Sequence, residues 1–323
     1  MHKVLIKSKK NISGIRVIKL GVLVVFILMG TLFCKGQQDP MYTQYIFNLQ
    51  TINPGYAGSW QNPGFVALSR IQWINFAGHP STQTFSFQAP LNSLKVGVGL
   101  NIVVDKVGYE KRVTVNGDYS YKIKLSPLAS LRFGLKGGFT NYSNNLIAYV
   151  QYPDNQTDMA FQSNIDNKLL PNLGVGLYLL HEKYYLSLSM PKILNNRISN
   201  GPDYYLNLES GQVYFGGGYV APIFDNLKFK PTFMSYLVKG APFQYDLSGN
   251  FLIAEKFQIG AMYRSGGAFG ALAQVILGRG LRLGYAFDMS NHNSQYRHNG
   301  VHELMLSYEF INSNRRIISP RNF

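Results

Sequence analysis

Cysteine is almost absent from this sequence, which has a single example, Cys34, among 323 residues. One cysteine cannot close a disulfide within the chain, so stability outside the cytoplasm would depend on packing and hydrogen bonds. The sequence also lacks a Gly-x-Ser-x-Gly motif, a P-loop and a cysteine placed to act as a nucleophile. We therefore expect no enzymatic activity and no bound cofactor.

Charge is also scarce, since Asp, Glu, Lys and Arg make up 15% of the chain, although the net charge is +15. Residues 1–36 carry seven cations and no acid, which leaves a net charge of +8 on the other 287 residues. Those residues contain no cluster of Lys and Arg that could follow a phosphate backbone. This distribution argues against a nucleic-acid partner.

Long apolar runs are missing beyond residues 1–36, and the run within them, 21–30, is short. It follows a basic stretch and precedes small residues, as in a signal peptide cleaved before Gln37. A membrane anchor would need about 20 apolar residues, and lipoprotein processing at Cys34 is disfavoured by the bulky residue before it. We predict a signal peptide over residues 1–36 and an exported mature chain.

Aromatic residues and glycine are abundant, with 22 Tyr, 21 Phe and 32 Gly. From residue 64 onward, apolar and polar residues repeatedly alternate. In Val113–Leu125 the odd positions are mainly apolar and the even positions polar, and the same pattern recurs in 131–136, 281–288 and 303–310. Strand geometry sends such alternating sets to opposite faces of a sheet. The pattern predicts strands with one apolar and one polar face.

The alternation predicts about fourteen strands between residues 64 and 310. They are placed at 64–74, 82–90, 95–104, 111–124, 127–140, 172–180, 184–190, 211–221, 227–237, 244–252, 257–264, 268–277, 281–289 and 301–310. Short connections follow every second strand. The longest connections, 141–171, 191–210 and 290–300, fall on the other side of the sheet.

This layout predicts an all-β fold, a transmembrane antiparallel β-barrel over residues 64–310. In lipid every backbone N–H and C=O must be paired within the protein, and only a closed sheet has no edge. The expected location is the outer membrane, with the mature termini, including the tail 311–323, in the periplasm and the long loops outside the cell. The alternative is a soluble secreted β-sandwich or lectin-like module, which would also alternate.

Aromatic rings on the apolar face are expected to form girdles at the membrane interfaces. The candidates are Tyr119, Tyr121, Tyr214, Tyr219, Tyr285, Tyr308 and Phe310. The terminal segment VHELMLSYEF resembles the final-strand signal read by the barrel-assembly machinery. In that segment Leu304, Leu306, Tyr308 and Phe310 occupy alternate positions.

Three histidines invite a metal interpretation, because His292, His298 and His302 lie near one another and near Asp288 in sequence. Their spacing matches no compact zinc motif, and two of them lie in a loop rich in Asn and Ser. A solvated loop is the favoured interpretation, and no metal site is expected.

The stretch QDPMYTQYIFNLQTINPGYAGS, residues 38–59, resembles the mature N-terminus of the PorP/SprF family of Bacteroidetes outer-membrane proteins. Glycine at position 55 stands where the family usually has alanine. The resemblance continues in 69–91, 96–108 and 302–308, and the chain looks SprF-like. The motif positions singled out as plug or partner contacts are Asp39, Pro40, Gln44, Tyr45, Asn48, Asn53, Pro54, Tyr56, Gly58, Gln72 and Trp73.

The resemblance implies an outer-membrane component of the type IX secretion system that helps to export and attach large surface adhesins, which drive gliding motility in gliding species. The implied partners are the C-terminal sorting domain of a secreted adhesin, the translocon with its periplasmic components, and outer-membrane lipid. The long loops are the expected recognition surface. The alternative function is a channel or transporter for small hydrophobic solutes.

Residues 37–63 follow neither a helical nor a strand period, and they combine aromatic rings with Asn, Pro and Gly. Ahead of a barrel, such a segment is expected to form a short periplasmic plug or collar. Its rings, Tyr42, Tyr45, Phe47 and Tyr56, would pack against the lumen wall. Two roles stay open for it: a structural cap needed for folding, or a contact for a secretion partner.

Overall fold

The computed structural model describes residues 42–91, 95–149, 163–199, 205–207, 211–238, 241–278, 280–290 and 300–311. The expected signal peptide, the motif residues Asp39 and Pro40, and all of the expected C-terminal tail except Ile311 lie outside these ranges. No helix within them has the length and apolar character needed to cross a membrane.

Seventeen strands account for most of the described chain, as its alternating sequence leads one to expect. They are β1 (Gly64–Gln72), β2 (Ser81–Leu91), β3 (Val96–Val107), β4 (Glu110–Lys124), β5 (Ala129–Asn144), β6 (Ile165–His181), β7 (Tyr184–Met190), β8 (Arg197–Ser199), β9 (Tyr205–Asn207), β10 (Gln212–Tyr219), β11 (Ala221–Phe224), β12 (Leu227–Val238), β13 (Gln244–Ile253), β14 (Phe257–Arg264), β15 (Ala268–Leu277), β16 (Leu281–Ser290) and β17 (Val301–Glu309). Four single turns of 3-10 helix complete the described elements, at Tyr45–Phe47, Leu49–Thr51, Pro54–Tyr56 and Leu146–Ala148.

All of these strands except β8 and β9 form one closed antiparallel wall. The order of hydrogen-bonded neighbours is β10-β7-β6-β5-β4-β3-β2-β1-β17-β16-β15-β14-β13-β12, and β12 returns to β10. The short strand β11 continues beyond β10 along the same neighbour, so the two share one position. The wall is thus a fourteen-stranded barrel, and the predicted fold class is confirmed.

Closure brings together the two ends of the barrel sequence. β1 pairs with β17 from Gly64 opposite Glu309 to Gln72 opposite Val301. Because this pairing runs along the whole of β1, the first and last strands leave no open edge there. Such closure is what a membrane-spanning sheet requires, since lipid offers no partner to a free backbone N–H or C=O.

The predicted loop 141–171 is too long, because β5 continues to Asn144 and β6 begins at Ile165. The Asn- and Ser-rich end of β5 has the composition of a turn, but its backbone pairs with β6, for example Asn141 opposite Leu169. The predicted connection 191–210 contains the small hairpin of β8 and β9, which forms a separate two-stranded sheet.

The two faces of the wall differ as the alternation predicts. In β4, Tyr119 and Tyr121 are about half exposed on the outer surface, while Asn116, Asp118 and Ser120 are buried toward the lumen. Apolar side chains therefore face outward and polar ones inward, the reverse of a soluble protein and typical of a membrane barrel.

Tyr214 is an exception among the predicted girdle residues, and its assignment to the outer face is wrong. Its side chain is 5% exposed and packs edge-on against Tyr236, with 5.4 Å between ring centroids. On β10 the neighbour Phe215 faces outward instead, at 42% exposure. The period of two then places Tyr214 on the lumen side.

Candidate functional site

Residues 42–62, which we call the plug, occupy the lumen side of the wall as a chain of three 3-10 turns. Although rich in polar groups, the plug is buried almost throughout, and Gln44 and Asn53 have no exposed surface. Buried polar groups are costly unless they are hydrogen-bonded. The contacts of the plug with the wall therefore determine whether it stays in place.

The bend at residues 53–56, which we call the base of the plug, follows from its sequence. Asn53 precedes the turn Pro54–Tyr56, and its Oδ1 accepts a hydrogen bond from the Gly55 backbone N–H at 2.8 Å. This is an N-cap, and proline suits the first position of the turn because its fixed φ and missing N–H cost nothing there. The Asn-Pro pair thus sets the direction in which the chain enters the turn.

The amide of Asn53 also fastens this bend to the wall. Its Nδ2 donates to the Leu177 backbone oxygen and to the Ser187 hydroxyl, each at 2.8 Å. Close by, the ring of Tyr56 packs edge-on against Tyr178 at 5.2 Å. The Asn53 amide is therefore hydrogen-bonded through both of its polar atoms: its nitrogen binds β6 and β7, and its oxygen binds the plug backbone.

Glycine lets the plug backbone lie directly against the wall. A Cβ atom on Gly134 of β5 would lie 2.0 Å from the Gly55 nitrogen. Next along the plug, Gly58 has a φ of +66°, a conformation that side chains disfavour. The Gly58 carbonyl accepts a hydrogen bond from Nη2 of Arg132 at 2.6 Å.

The middle of the plug contacts a buried ion pair. Nζ of Lys136 lies 2.8 Å from Oδ1 of Asp118, and neither side chain is exposed. The plug residue Gln50 donates from Nε2 to Oδ2 of Asp118 at 3.1 Å, and Lys136 donates to the Gln50 backbone oxygen at 3.3 Å. This pair thus depends on the plug for part of its hydrogen bonding.

Two further side chains link the middle of the plug to opposite parts of the wall. Asn48 donates to the Ser86 hydroxyl on β2 at 3.0 Å, and the Tyr45 hydroxyl lies 3.2 Å from the Thr232 hydroxyl on β12. Burial raises the pKa of Tyr45 well above its usual value, so its hydroxyl keeps its proton at neutral pH. The plug therefore crosses the lumen rather than lining one side of it.

The start of the plug meets five charged side chains, which we call the latch cluster. They are Arg70, Asp246, Arg264, Asp288 and Glu303, all buried or nearly so. Glu303 accepts from the backbone N–H of Thr43 at 2.7 Å and from that of Gln44 at 2.9 Å, and it also pairs with Arg70. Carboxylates that accept several N–H bonds hold a backbone firmly.

The rest of the latch cluster is also tied together. Arg264 lies 2.8 Å from Asp246, and it donates to the Tyr42 backbone oxygen at 3.3 Å. Asp288 pairs with Arg70 at 3.3 Å and accepts a hydrogen bond from the Thr43 hydroxyl. Cations and carboxylates from five strands are thereby paired around the first three plug residues.

The structure brings together most of the predicted plug residues but leaves two apart. Gln44, Tyr45, Asn48, Asn53, Pro54, Tyr56 and Gly58 all lie in the plug. Gln72 and Trp73 lie outside it, at the end of β1. Trp73 is 38% exposed and donates its backbone N–H to the Gly300 oxygen at 3.0 Å.

The residues of the predicted final-strand signal share one surface. Leu304, Leu306, Tyr308 and Phe310 are all exposed on the outer face, between 37% and 61%. On the opposite face of the same strand, Glu303, Ser307 and Glu309 are buried toward the lumen. Their role in assembly stays a prediction, and their placement makes them accessible from outside the wall.

The latch cluster was not singled out from the sequence, although a signal for it exists. Glu303 and Asp288 fall on the polar sets of their strands, which the alternation places in the lumen. A carboxylate on a lumen-facing position needs a partner. The partner of Glu303, Arg70, lies 233 residues away in the chain, so sequence spacing could not identify it.

Within the described residues, no three His, Cys, Asp or Glu side chains gather around a common point. His302 instead has its Nδ1 2.7 Å from the Tyr285 hydroxyl. His292 and His298 lie outside the described residues.

We expect the Asn53→Ala, Tyr56→Phe double variant to weaken the barrel rather than to spare it. Asn53→Ala leaves the Gly55 N–H and the Leu177 oxygen buried without their partner, and each such group costs about 1–3 kcal/mol. Tyr56→Phe removes the acceptor of the Trp60 indole N–H, now 3.0 Å away. Heat-modifiable gel mobility and urea unfolding in detergent measure the loss.

Since Asn53 and Tyr56 are 0% and 3% exposed, this result would identify the base of the plug as a structural cap. The matched control is Asn141→Ala, an asparagine on β5 whose amide donates to the exposed Oδ1 of Asn167 at 3.1 Å and does not contact the plug. A double variant with wild-type stability and defective secretion would contradict this and identify a partner contact.

The profile of one protein family, described as "Type IX secretion system membrane protein PorP/SprF", matches residues 34–308. Among curated proteins, none matches the sequence. Of solved structures, the chain is similar to the Acinetobacter baumannii outer membrane protein Omp33, with 10% identity, 77% of this chain and 99% of that chain covered, and a TM-score of 0.46. It is also similar to the P. putida toluene transporter TodX, with 8% identity, 82% and 94% covered, and a TM-score of 0.47. Such distant likenesses add nothing to the strand pairing, which by itself establishes the barrel.

Proposed function

The chain belongs to the PorP/SprF family of type IX secretion system membrane proteins, and from that premise we propose that it docks secreted proteins at the outer membrane and helps to attach them there. The family places it in the outer-membrane part of this secretion system. The finer role rests on the molecule itself, and above all on the plug that crosses its lumen.

The plug supports docking over passive transport. It is hydrogen-bonded to β2 through β7 and to β12, β14, β16 and β17. Two cavities beside it have volumes of about 80 and 40 Å³. Pockets for small-molecule ligands usually have about 300–1,000 Å³. A hydrophobic solute would therefore have to displace the plug in order to pass.

The proposed orientation places the mature termini in the periplasm. β1 begins and β17 ends at the mouth where short turns join the strands, such as residues 182–183 and 225–226. The opposite mouth carries the longer connections 145–164, 191–211 and 291–300. Outer-membrane barrels have short periplasmic turns and longer extracellular loops, which supports this assignment.

The proposed substrate contact lies at the long-loop mouth, and the proposed substrates are large adhesins with a C-terminal sorting domain. Within the connection 191–211, β8 and β9 are the described strands, and they pair with each other. Asn196, just before β8, donates to the Pro171 oxygen on β6 at 2.9 Å. This contact holds the hairpin against the wall, where it can present a fixed surface to an emerging protein.

Deleting Arg197–Asn207 and joining the ends through a short glycine-serine linker is expected to abolish surface display of a type IX substrate while the barrel still assembles. The hairpin forms its own sheet, so its removal leaves the wall pairing intact. Whole-cell immunolabelling measures display, and heat-modifiable gel mobility measures assembly.

The matched control replaces the turn 225–226 at the other mouth with Asn-Gly, which suits a two-residue hairpin. This control should preserve both display and assembly. Normal display by an assembled barrel without the β8–β9 hairpin would show that the hairpin is not the docking surface.

A further inference from the structure

One strip of the lumen wall runs across five adjacent strands, β12 to β16, and carries amide or basic side chains on four of them. Leu252, Gln258 and Gln274 face one another in register across β13, β14 and β15. Lys230 on β12 and Arg282 on β16 flank them. The strip lines the cavity of about 40 Å³, which the plug bounds on its other side with Ile46 and Phe47.

The amides of this strip have hydrogen-bond donors without acceptors in the described chain. Nε2 of Gln258 and Nε2 of Gln274 are buried and unpaired, in side chains that are 1% and 5% exposed. The Oε1 atom of Gln258 is already used, since it accepts from Nζ of Lys230 at 3.1 Å. A buried donor without an acceptor costs free energy, so these two amides favour an acceptor in the cavity.

The charges in the cavity point to an anion. Arg282 forms no ion pair within the described residues, and Lys230, itself 8% exposed, is the second cation of the lining. The one carboxylate of the lining, Glu255, is half exposed and pairs with Lys228 at 2.5 Å. Burial and a neighbouring guanidinium both disfavour the charged form of a lysine, and an anion between the two basic side chains favours that form.

The volume of the cavity limits the size of the anion. The cavity of about 40 Å³ is small, since a single water needs about 10–15 Å³ of such volume. A planar carboxylate group suits so small a space better than the bulkier phosphate. The two carboxylate oxygens can accept from a guanidinium and from the amides at the same time.

We propose that this strip, at the short-turn mouth of the barrel, is a binding site for a carboxylate group, held by Arg282, Lys230 and the amides of Gln258 and Gln274. The carboxylate belongs either to a small free acid or to the end of a peptide. The site is separate from the proposed docking surface at the opposite mouth, and it does not depend on it.

The test uses the full-length barrel in detergent and acetate as the probe, in a buffer free of other carboxylates. Saturation-transfer NMR is expected to detect bound acetate in the wild type. In Arg282→Gln the affinity is expected to fall about tenfold or more, as the loss of a charged hydrogen bond implies. Gln274→Leu, which keeps the charge but removes one donor, should give a smaller loss.

Arg112→Gln is the matched control, because it removes a guanidinium that is already paired with Glu110, 2.6 Å away. It should bind acetate as the wild type does. Heat-modifiable mobility confirms that each variant is assembled. Absence of acetate binding in the wild type, equal binding in Arg282→Gln, or tighter binding of inorganic phosphate than of acetate would each overturn the proposal.

Competition distinguishes the two sources of the carboxylate. A tripeptide with a free C-terminus is compared with the same tripeptide amidated. Displacement of acetate by the free form alone supports a peptide end as the natural ligand. Displacement by neither form, with acetate bound, supports a small free acid.

Discussion

Replacing Glu303 with glutamine is expected to lower the free energy of unfolding by about 3–5 kcal/mol, because it leaves Arg70 buried beside one carboxylate instead of two. Arg70 is 5% exposed and would retain only Asp288, at 3.3 Å. The backbone N–H groups of Thr43 and Gln44 would also donate to a neutral amide oxygen instead of a charged carboxylate. Urea unfolding in detergent measures the change.

The same substitution is expected to loosen the start of the plug before the wall opens. Glu303 binds the plug backbone as well as Arg70, whereas the pairing of β17 with β1 and β16 involves only backbone atoms. Limited proteolysis of assembled barrels should therefore cut the Glu303→Gln variant within residues 42–62 and leave the wild type intact.

Glu255→Gln is the control for Glu303→Gln, since the Glu255 side chain is 52% exposed and its pair with Lys228 lies at the surface. Exposed pairs contribute about 0–1 kcal/mol, so this change should be nearly silent. A combined Arg70→Met, Glu303→Leu variant should recover part of the loss, because the Arg70 charge leaves together with its Glu303 partner, while Asp288 keeps Arg264 at 3.9 Å. Equal stability of Glu303→Gln and Glu255→Gln would show that the latch cluster does not hold the plug.

The barrel could be predicted from the sequence because alternate residues of each strand face lipid and lumen, and their side chains are apolar and polar accordingly. In β4, Tyr119 and Tyr121 on one face and Asp118 and Ser120 on the other already specify lipid and lumen. The same rule would have placed Tyr214 correctly, had its neighbour Phe215 been taken as the outward residue. Tyr214 was assigned to the girdle because it is a tyrosine, but its position in the alternating pattern of β10 places it in the lumen.

The ends of β5 and β6 could not be predicted because local composition and strand pairing conflict there. Asn141 and Asn144 favour turns, but both lie opposite residues of β6. Backbone pairing with a neighbour that is already in register outweighs the local preference. The position of a partner strand, which decides this, is not encoded in the segment itself.

The plug could be predicted as a segment but not as a set of contacts. Its lack of period and its Asn-Pro and Gly residues marked it as irregular. Its partners, such as Ser187 for Asn53 and Glu303 for Gln44, are 134 and 259 residues away. Only closure of the wall brings them together, so no spacing in the sequence could reveal them.

The arrangement of the lumen explains why the plug is both polar and irregular. A membrane barrel has polar side chains on its inner face, so hydrogen-bond donors and acceptors are present along the whole length of the lumen. A helix or strand uses its own backbone groups, whereas short turns leave carbonyls and N–H groups free to meet the wall. The Gly58 and Ala57 oxygens, bound by Arg132 and Ser120, are examples.

Replacing Gly134 with valine is expected to displace the base of the plug and to give the purified barrel a measurable ion conductance. The Cβ atom would lie 2.0 Å from the Gly55 nitrogen and 2.3 Å from the Pro54 carbonyl carbon. These are backbone atoms of a turn capped by Asn53, so they cannot yield as a flexible side chain would. Planar-bilayer recordings should show the wild type closed or nearly so and the Gly134→Val variant conducting.

Gly137→Val is the matched control, since Gly137 lies on the same strand but faces outward, where a Cβ would meet only a Leu173 methyl at 4.0 Å. It should conduct no more than the wild type. Gly134→Val also overpacks the lumen, which costs about 1–3 kcal/mol, so assembled barrels are selected by gel mobility before recording. If assembled Gly134→Val stayed as closed as Gly137→Val, the base of the plug would not be what closes the lumen. Conductance in the wild type equal to that of Gly134→Val would instead favour a channel over the proposed docking protein.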